Sequence, residues 1–390
     1  MSKIMFFCIP AWGHTNPTLA VIKELVSRGH IVRYYSFDEF EEKIKAAGAE
    51  FVSCDKYLPK LSQKELSRIR KVSTTEMTIS DLKTVATIDP IINRDVADFK
   101  PDCIVADSVC FWGKLFAIKH NIPFVSSTTT FAFNKHSSKY IQSSFAEMLD
   151  LILGMPRVNR ELKKLKPLGY HVKSAMSLVQ NDNDTNTIVY TSKMFQPFSE
   201  TFSDNYVFVG PSVPKTEKII KDESIKTVYI SLGTVINQNR EFYKNCIEAL
   251  KNSGVNVIIS VGMDTDVSTL GTLPENIEVY PRVNQMEVLS RADAFLTHCG
   301  MNSVSESLYM GVPLIMFPST GEQKAVAKRT YELGAGVFLG NTEPQTIYDS
   351  IMTVLNDASY TQNADKIRED FLSCPGPCGA ADFIESIFGI

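Results

Sequence analysis

Short apolar runs separated by amphipathic stretches recur along the chain, and their spacing predicts alternating strands and helices. In the first half, the runs at residues 4–9, 31–35, 103–106, 124–127 and 188–190 are too short for helices. Their apolar residues fall mostly at successive positions rather than alternate ones, as in strands of a parallel sheet buried on both faces. Helical periodicity such as that of 17–27 lies between them. The second half restarts the pattern at 227–232, 255–261, 277–280, 294–297 and 314–317. Two similar α/β halves are therefore expected, each a parallel sheet with helices on both faces. Phe208-Val-Gly-Pro-Ser-Val-Pro and the charged run up to Lys226 read as a domain end and a linker. The expected division is a first domain at 1–207, a linker at 208–226 and a second domain from 227 to 378.

Composition narrows the class. A chain of 390 residues, 44% hydrophobic and with a formal charge of −4, can bury two sizeable cores. It has no electrostatic reason to seek nucleic acid or an anionic membrane. The apolar N-terminal run is broken by Pro10 and Gly13 too soon for a signal peptide or a membrane span, so the expectation is a soluble, cytoplasmic protein, by default a monomer. Eight cysteines in mostly apolar contexts, Cys8, Cys103, Cys110 and Cys246 among them, suit buried reduced thiols better than disulfides. Cys374 and Cys378 enclose Pro-Gly-Pro without a second ligand pair, which argues against zinc.

The chemistry concentrates at 297–323. An apolar strand there runs into Thr297-His-Cys-Gly-Met-Asn-Ser, then a helix beginning near Asn302, another apolar strand, and a loop bearing Glu322 and Gln323. A helix N-terminus presents unpaired N–H groups and partial positive charge, and Gly300 allows close approach to the main chain, so the unit suits an anion such as phosphate. His298 and Asn302 can donate to phosphate oxygens, while Glu306, one turn on, can accept from ribose hydroxyls. The plainer reading, that His298 caps a turn common to α/β proteins, stands beside this one on those residues alone.

A second cluster lies near the N-terminus. Pro10-Ala-Trp-Gly13-His14-Thr-Asn-Pro17 follows the first strand, at the sheet edge where open α/β folds bind ligands. His14 is expected in a loop just before a helix whose first turn contains Pro17. Positive potential there favours neutral imidazole, the state a general base requires. Asp107 ends the strand at 103–106 on the same edge and can fix the tautomer of such a base; it could also cap the helix beginning around Phe111. Asp102, at the other end of that strand, reads as structural.

The 297–323 stretch resembles the donor signature of UDP-dependent glycosyltransferases, in particular the bacterial macrolide and flavonoid branch, and Gly13-His14-Thr-Asn-Pro17 matches that family's Gly-His-x-Asn-Pro motif. The resemblance implies two Rossmann-like domains facing across a cleft, the GT-B architecture, with a last helix at 379–390 returning to the first domain. It implies a donor-binding set of Gly13, Gly233, Thr234, Arg282, Val283, Gln285, His298, Gly300, Met301, Asn302, Ser303, Glu306, Glu322 and Gln323. In that set His298 and Asn302-Ser303 meet the diphosphate, Glu306 the ribose, and Glu322-Gln323 the sugar hydroxyls. Where the family has aromatic-x-Pro-Gln, this chain has Arg282-Val283-Asn284-Gln285. The Arg282 guanidinium could stack on uracil in place of the aromatic ring.

The implied reaction is inverting, metal-independent transfer of a sugar, by preference glucose, from a UDP-sugar to a hydroxyl of a small lipophilic acceptor such as a flavonoid or macrolide. His14 would be the base, Asp107 its partner, and no cofactor is expected. Asp182-Asn-Asp184 spells a metal-site pattern but lies in a polar loop, where turn chemistry explains it. The aromatics Phe111, Trp112, Phe131 and Phe133, with Tyr140 and Phe145, suit an acceptor pocket and equally an ordinary core. A UDP-sugar epimerase of the same fold and a non-catalytic nucleotide-sugar-binding partner are the alternatives; the first would need carboxylates facing the sugar.

Overall fold

The computed structural model describes residues 1–57, 74–140, 145–172, 183–214, 216, 225–233 and 239–389. By contact the chain divides into two units. The first comprises Met1–Tyr190, Phe198–Ser212 and Pro375–Ile390, and the second Thr191–Pro197 and Val213–Cys374.

The first unit runs β1 (Lys3–Phe7), α1 (Trp12–Ser27), β2 (Ile31–Ser36), α2 (Glu41–Ala46), β3 (Glu50–Ser53), α3 (Thr74–Phe99), β4 (Cys103–Asp107), α4 (Phe111–His120), β5 (Phe124–Thr128), α5 (Phe145–Leu165), β6 (Thr187–Val189) and β7 (Tyr206–Phe208). Its strands form one parallel sheet in the order β3-β2-β1-β4-β5-β6-β7. The strand β1, Lys-Ile-Met-Phe-Phe, is apolar on both faces because helices cover both, and all but its first residue are buried. Phe6 and Phe7 stack on Tyr34 and Tyr35 of the neighbouring strand with centroids 4.9 and 4.5 Å apart.

The second unit runs β8 (Thr227–Ser231), α6 (Arg240–Leu250), β9 (Asn256–Ser260), β10 (Ile277–Tyr280), α7 (Gln285–Leu289), β11 (Ala294–Thr297), α8 (Met301–Tyr309), β12 (Leu314–Met316), α9 (Gly321–Glu332), β13 (Gly336–Phe338), α10 (Pro344–Asn356) and α11 (Ala358–Ser373). Its parallel sheet has the order β10-β9-β8-β11-β12-β13. Both sheets are thus wound outward in two directions from a central pair, β1 with β4 and β8 with β11. The crevice at the carboxyl ends of such a pair is where doubly wound sheets bind ligands.

The last helix, α12 (Gly376–Ile387), belongs to the first unit, where Ala380, Ala381 and Ile384 enter the core. Arg28, just past the end of α1, donates from Nη1 to Asp382 at 2.6 Å and to Glu385 at 2.8 Å, and His30 Nε2 lies 2.7 Å from Glu385. Thr191–Pro197 packs in the second unit because Arg329 of α9 donates to the carbonyls of Met194 and Phe195, while the Phe195 ring meets Phe371. The expected boundary at 207 does not contain this excursion. Among the described residues no helix is long and apolar enough to cross a membrane.

Candidate functional site

In the first unit, β1 and β4 lie side by side, with Phe7 opposite Ala106, so the loop leaving β1 and the end of β4 emerge together. His14 Nδ1 lies 2.8 Å from Asp107 Oδ2. The Asp107 carboxyl is fully enclosed, whereas the His14 side chain keeps 18% of its surface exposed. Asp107 Oδ1 accepts the N–H of Val109 at 3.0 Å, so both carboxylate oxygens are engaged. The helix α4 starts later, behind Cys110, without a side-chain cap, so Asp107 closes a tight turn and caps no helix. Asp102 accepts the N–H of Lys3 at 2.8 Å at the far end of the sheet, a structural bond.

The helix carrying His14 begins earlier than the sequence suggests. α1 starts at Trp12, capped by the extended Ala11, so His14 sits inside its first turn rather than in a preceding loop. Pro17 is consequently an interior residue and not a first-turn one. Pro17, the sixth residue of this 16-residue helix, lacks only the N–H that would have bonded the Gly13 carbonyl, a single bond that the rest of the helix outweighs. The sequence reading also missed Thr129, whose Oγ1 lies 3.0 Å from the same His14 Nδ1. Its position one residue beyond β5, the strand beside β4, was the available signal.

In the second unit, the loops after β8 and β11 bring Gly233 and Gly300 against the Cε1–Nε2 edge of one imidazole. A Cβ on Gly233 would stand 2.5 Å from His298 Cε1, and one on Gly300 2.7 Å from its Nε2. Gly233 has a φ of +77° and Cys299 one of +66°. For a non-glycine residue that conformation costs about 1 kcal/mol or more, strain of a kind that collects at binding loops. Burial lowers the His298 pKa to about 4, so the ring is neutral near pH 7. Its Nδ1 has no hydrogen-bond partner among the described residues. Gly300 is the N-cap of α8 and supplies no side-chain cap, and no acidic residue occupies the first turn. Backbone donors of this turn, with Asn302 and Ser303 on it, are of the kind that can hold an anion.

Glu306 follows one turn further on. Burial raises its pKa, and Gln285, donating from Nε2 to Glu306 Oε2 at 2.6 Å, opposes the rise. Gln285 Oε1 in turn accepts from Tyr229 at 3.3 Å. Asn284, standing where the family pattern has proline, accepts the N–H of Glu287 and caps α7, so the segment is ordered by a side-chain bond instead of a ring. Arg282 is exposed and Val283 half-buried on the preceding turn. Glu322 is exposed at the start of α9. Gln323 is nearly buried and completes a capping box: its Oε1 accepts from Ser319 N and Oγ and from Thr320 N, and only its amide nitrogen remains for a ligand.

Thr234 and Asp182 lie outside the described residues, as do the side chains of Phe111 and Phe145. Trp112 is buried in the core of the first unit rather than lining a surface. Phe131 and Tyr140 are buried against each other at 6.5 Å, and Tyr140 also meets the half-exposed Phe198 at 6.1 Å; Phe133 is partly exposed. Six of the eight cysteines are buried, and all eight are free thiols.

Comparison with known proteins finds relatives along nearly the whole length of the chain. Residues 245–387 match the family described as Erythromycin biosynthesis protein CIII-like, C-terminal domain. The chain is 33% identical to an uncharacterized UDP-glucosyltransferase, YojK, of Bacillus subtilis (strain 168), over 98% of this chain and 97% of that one. It is 32% identical to the NDP-glycosyltransferase YjiC of the same strain, over 97% and 95%. Among solved structures, the calicheamicin glycosyltransferase CalG4 superposes with a TM-score of 0.83 at 28% identity, covering 100% of this chain and 98% of that one.

Proposed function

Since the chain belongs to the UDP-glycosyltransferases, in their bacterial macrolide and flavonoid branch and with their GT-B fold, we propose that it transfers glucose from UDP-glucose to a hydroxyl of a small lipophilic acceptor, with inversion and without a metal ion. The observation that carries this reading is the His14–Asp107 pair at the carboxyl edge of the first sheet. With its carboxylate ionised, Asp107 requires the proton on Nδ1, which leaves Nε2 to take the proton of the attacking hydroxyl. As the hydroxyl oxygen bonds to the anomeric carbon, the bond to the UDP oxygen breaks, and the imidazolium that forms is stabilised by Asp107.

The leaving diphosphate gains charge as that bond breaks. The first turn of α8 and the neutral His298 supply fixed donors for it, the kind of preorganised field that stabilises a transition state. Glu306 takes the ribose hydroxyls, exchanging its bond from Gln285 for them. In the sugar subsite Glu322 accepts, while Gln323, its oxygen committed to the helix cap, serves as a donor.

Substituting Gly233 by alanine is expected to weaken UDP binding by at least about tenfold, roughly 1.4 kcal/mol, in titration calorimetry. The new Cβ meets strain from the positive φ and pushes the His298 ring aside. An unchanged affinity would place UDP away from His298. The functional reading itself is tested by UDP release from UDP-glucose with a panel of phenolic and macrolide acceptors, EDTA present. Release that depends on acceptor, with a hexose mass gain in the product, supports it; activity lost to EDTA, or UDP-sugar isomerised without an acceptor, contradicts it.

A further inference from the structure

The ring of His14 is held at one nitrogen by two strand ends. Asp107 Oδ2, at the end of β4, is 2.8 Å from Nδ1, and Thr129 Oγ1, just beyond β5, is 3.0 Å from it. Asp107 sets the tautomer, because a carboxylate facing an unprotonated Nδ1 at 2.8 Å would set two acceptors against each other. The threonine oxygen is then a second acceptor for the same N–H. Thr129 is 2% exposed, and its β-branched side chain has few rotamers to leave for. An imidazole bonded to a single carboxylate can swing about that bond; one bonded to two acceptors on neighbouring strands is fixed in plane.

We propose that Thr129 is a positioning residue for His14: it holds the imidazole plane and stabilises the imidazolium as it forms. The proposal rests on the reading of His14 as the base. Among the described residues, Asp107 acts on the titratable groups Cys8 beyond β1, Cys110 beyond β4 and Tyr190 beyond β6. Burial pushes the pKa of each up, with Asp107 adding to the effect, so all three stay neutral while His14 titrates.

A hydrogen bond from Nδ1–H is stronger in the cation than in the neutral ring. Removing the Thr129 oxygen therefore lowers the His14 pKa, by about half a unit to one unit. The test is the imidazole of His14 in the full-length protein, followed by 15N NMR across pH in Thr129→Val and Thr129→Ala, with Thr129→Ser as the rescue. The expected result is the lower pKa in both variants lacking the hydroxyl, its return in the serine variant, and a three- to tenfold fall in kcat with donor KM unchanged. A His14 titration identical in all variants overturns the proposal, as does a loss confined to donor KM, which would make Thr129 a sugar contact. The NMR reading needs no turnover. It is therefore separable from the transferase reading, which fails instead if His14→Ala keeps full transfer.

Discussion

Replacing His14 by alanine is expected to lower acceptor-dependent UDP release by about a thousandfold while leaving UDP affinity within about twofold. A positioned base contributes some 10² to 10⁴ in rate, and the upper part of that range applies where the base is fixed by a buried carboxylate. Asp107 is fully enclosed and both its oxygens are bonded, so the pair is preorganised before substrate arrives. UDP affinity is expected to hold because His298, Gly300 and Glu306 belong to the other unit, whose own residues the substitution leaves unchanged. Initial rates and calorimetry on the same preparation check both halves. A rate within tenfold of wild type would remove His14 from the chemistry.

The second large effect is expected at Asp107, and the informative change is to asparagine. The carboxylate accepts twice, from His14 Nδ1–H and from Val109 N–H. An amide has one acceptor oxygen and one donor nitrogen. If the oxygen faces His14, the amide nitrogen opposes the Val109 N–H; if it faces Val109, the nitrogen points at Nδ1 and forces the proton onto Nε2. The first arrangement strains the turn, and the second abolishes the base. The expected fall in kcat is on the order of a hundred- to ten-thousandfold, with donor KM little changed, as for other histidine bases given the wrong tautomer. Steady-state rates and the His14 15N shifts check it. A loss of only a few-fold, with the Nδ1–H tautomer retained, would deny Asp107 its role.

Much of this architecture was legible because the central strands β1, β4, β8 and β11 are continuous apolar runs, and a strand buried on both faces leaves that trace. Three of the four edge strands were not. Glu50–Ser53 carries no buried residue, and Tyr206–Phe208 and Gly336–Phe338 are three residues each, too short to show a period. The return of Thr191–Pro197 to the second unit depends on Arg329, more than a hundred residues away, and no local pattern reports such a bond.

At the site, spacing placed His14 and Asp107 on one sheet edge but could not place the start of α1. Pro17 is compatible with either register, and only the extended Ala11 settles it. Gln323 shows a different limit. Its place in a family motif suggested a sugar ligand, while the three donors on its oxygen show a helix cap, and one side chain can serve both through different atoms. Thr129 escaped because a threonine after a strand is unremarked until the neighbouring strand is known. Trp112 was counted among acceptor aromatics because composition cannot separate a core ring from a pocket ring.

The measurement that reaches the central claim most directly is the anomeric configuration of the product formed from UDP-glucose in the presence of EDTA, read from the coupling of its anomeric proton by NMR. Base-assisted attack by the acceptor hydroxyl, opposite the departing UDP, predicts a β-linked glucoside formed in step with free UDP. An α-linked product would contradict single displacement by a hydroxyl activated at His14, and with it the role assigned to the His14–Asp107 pair.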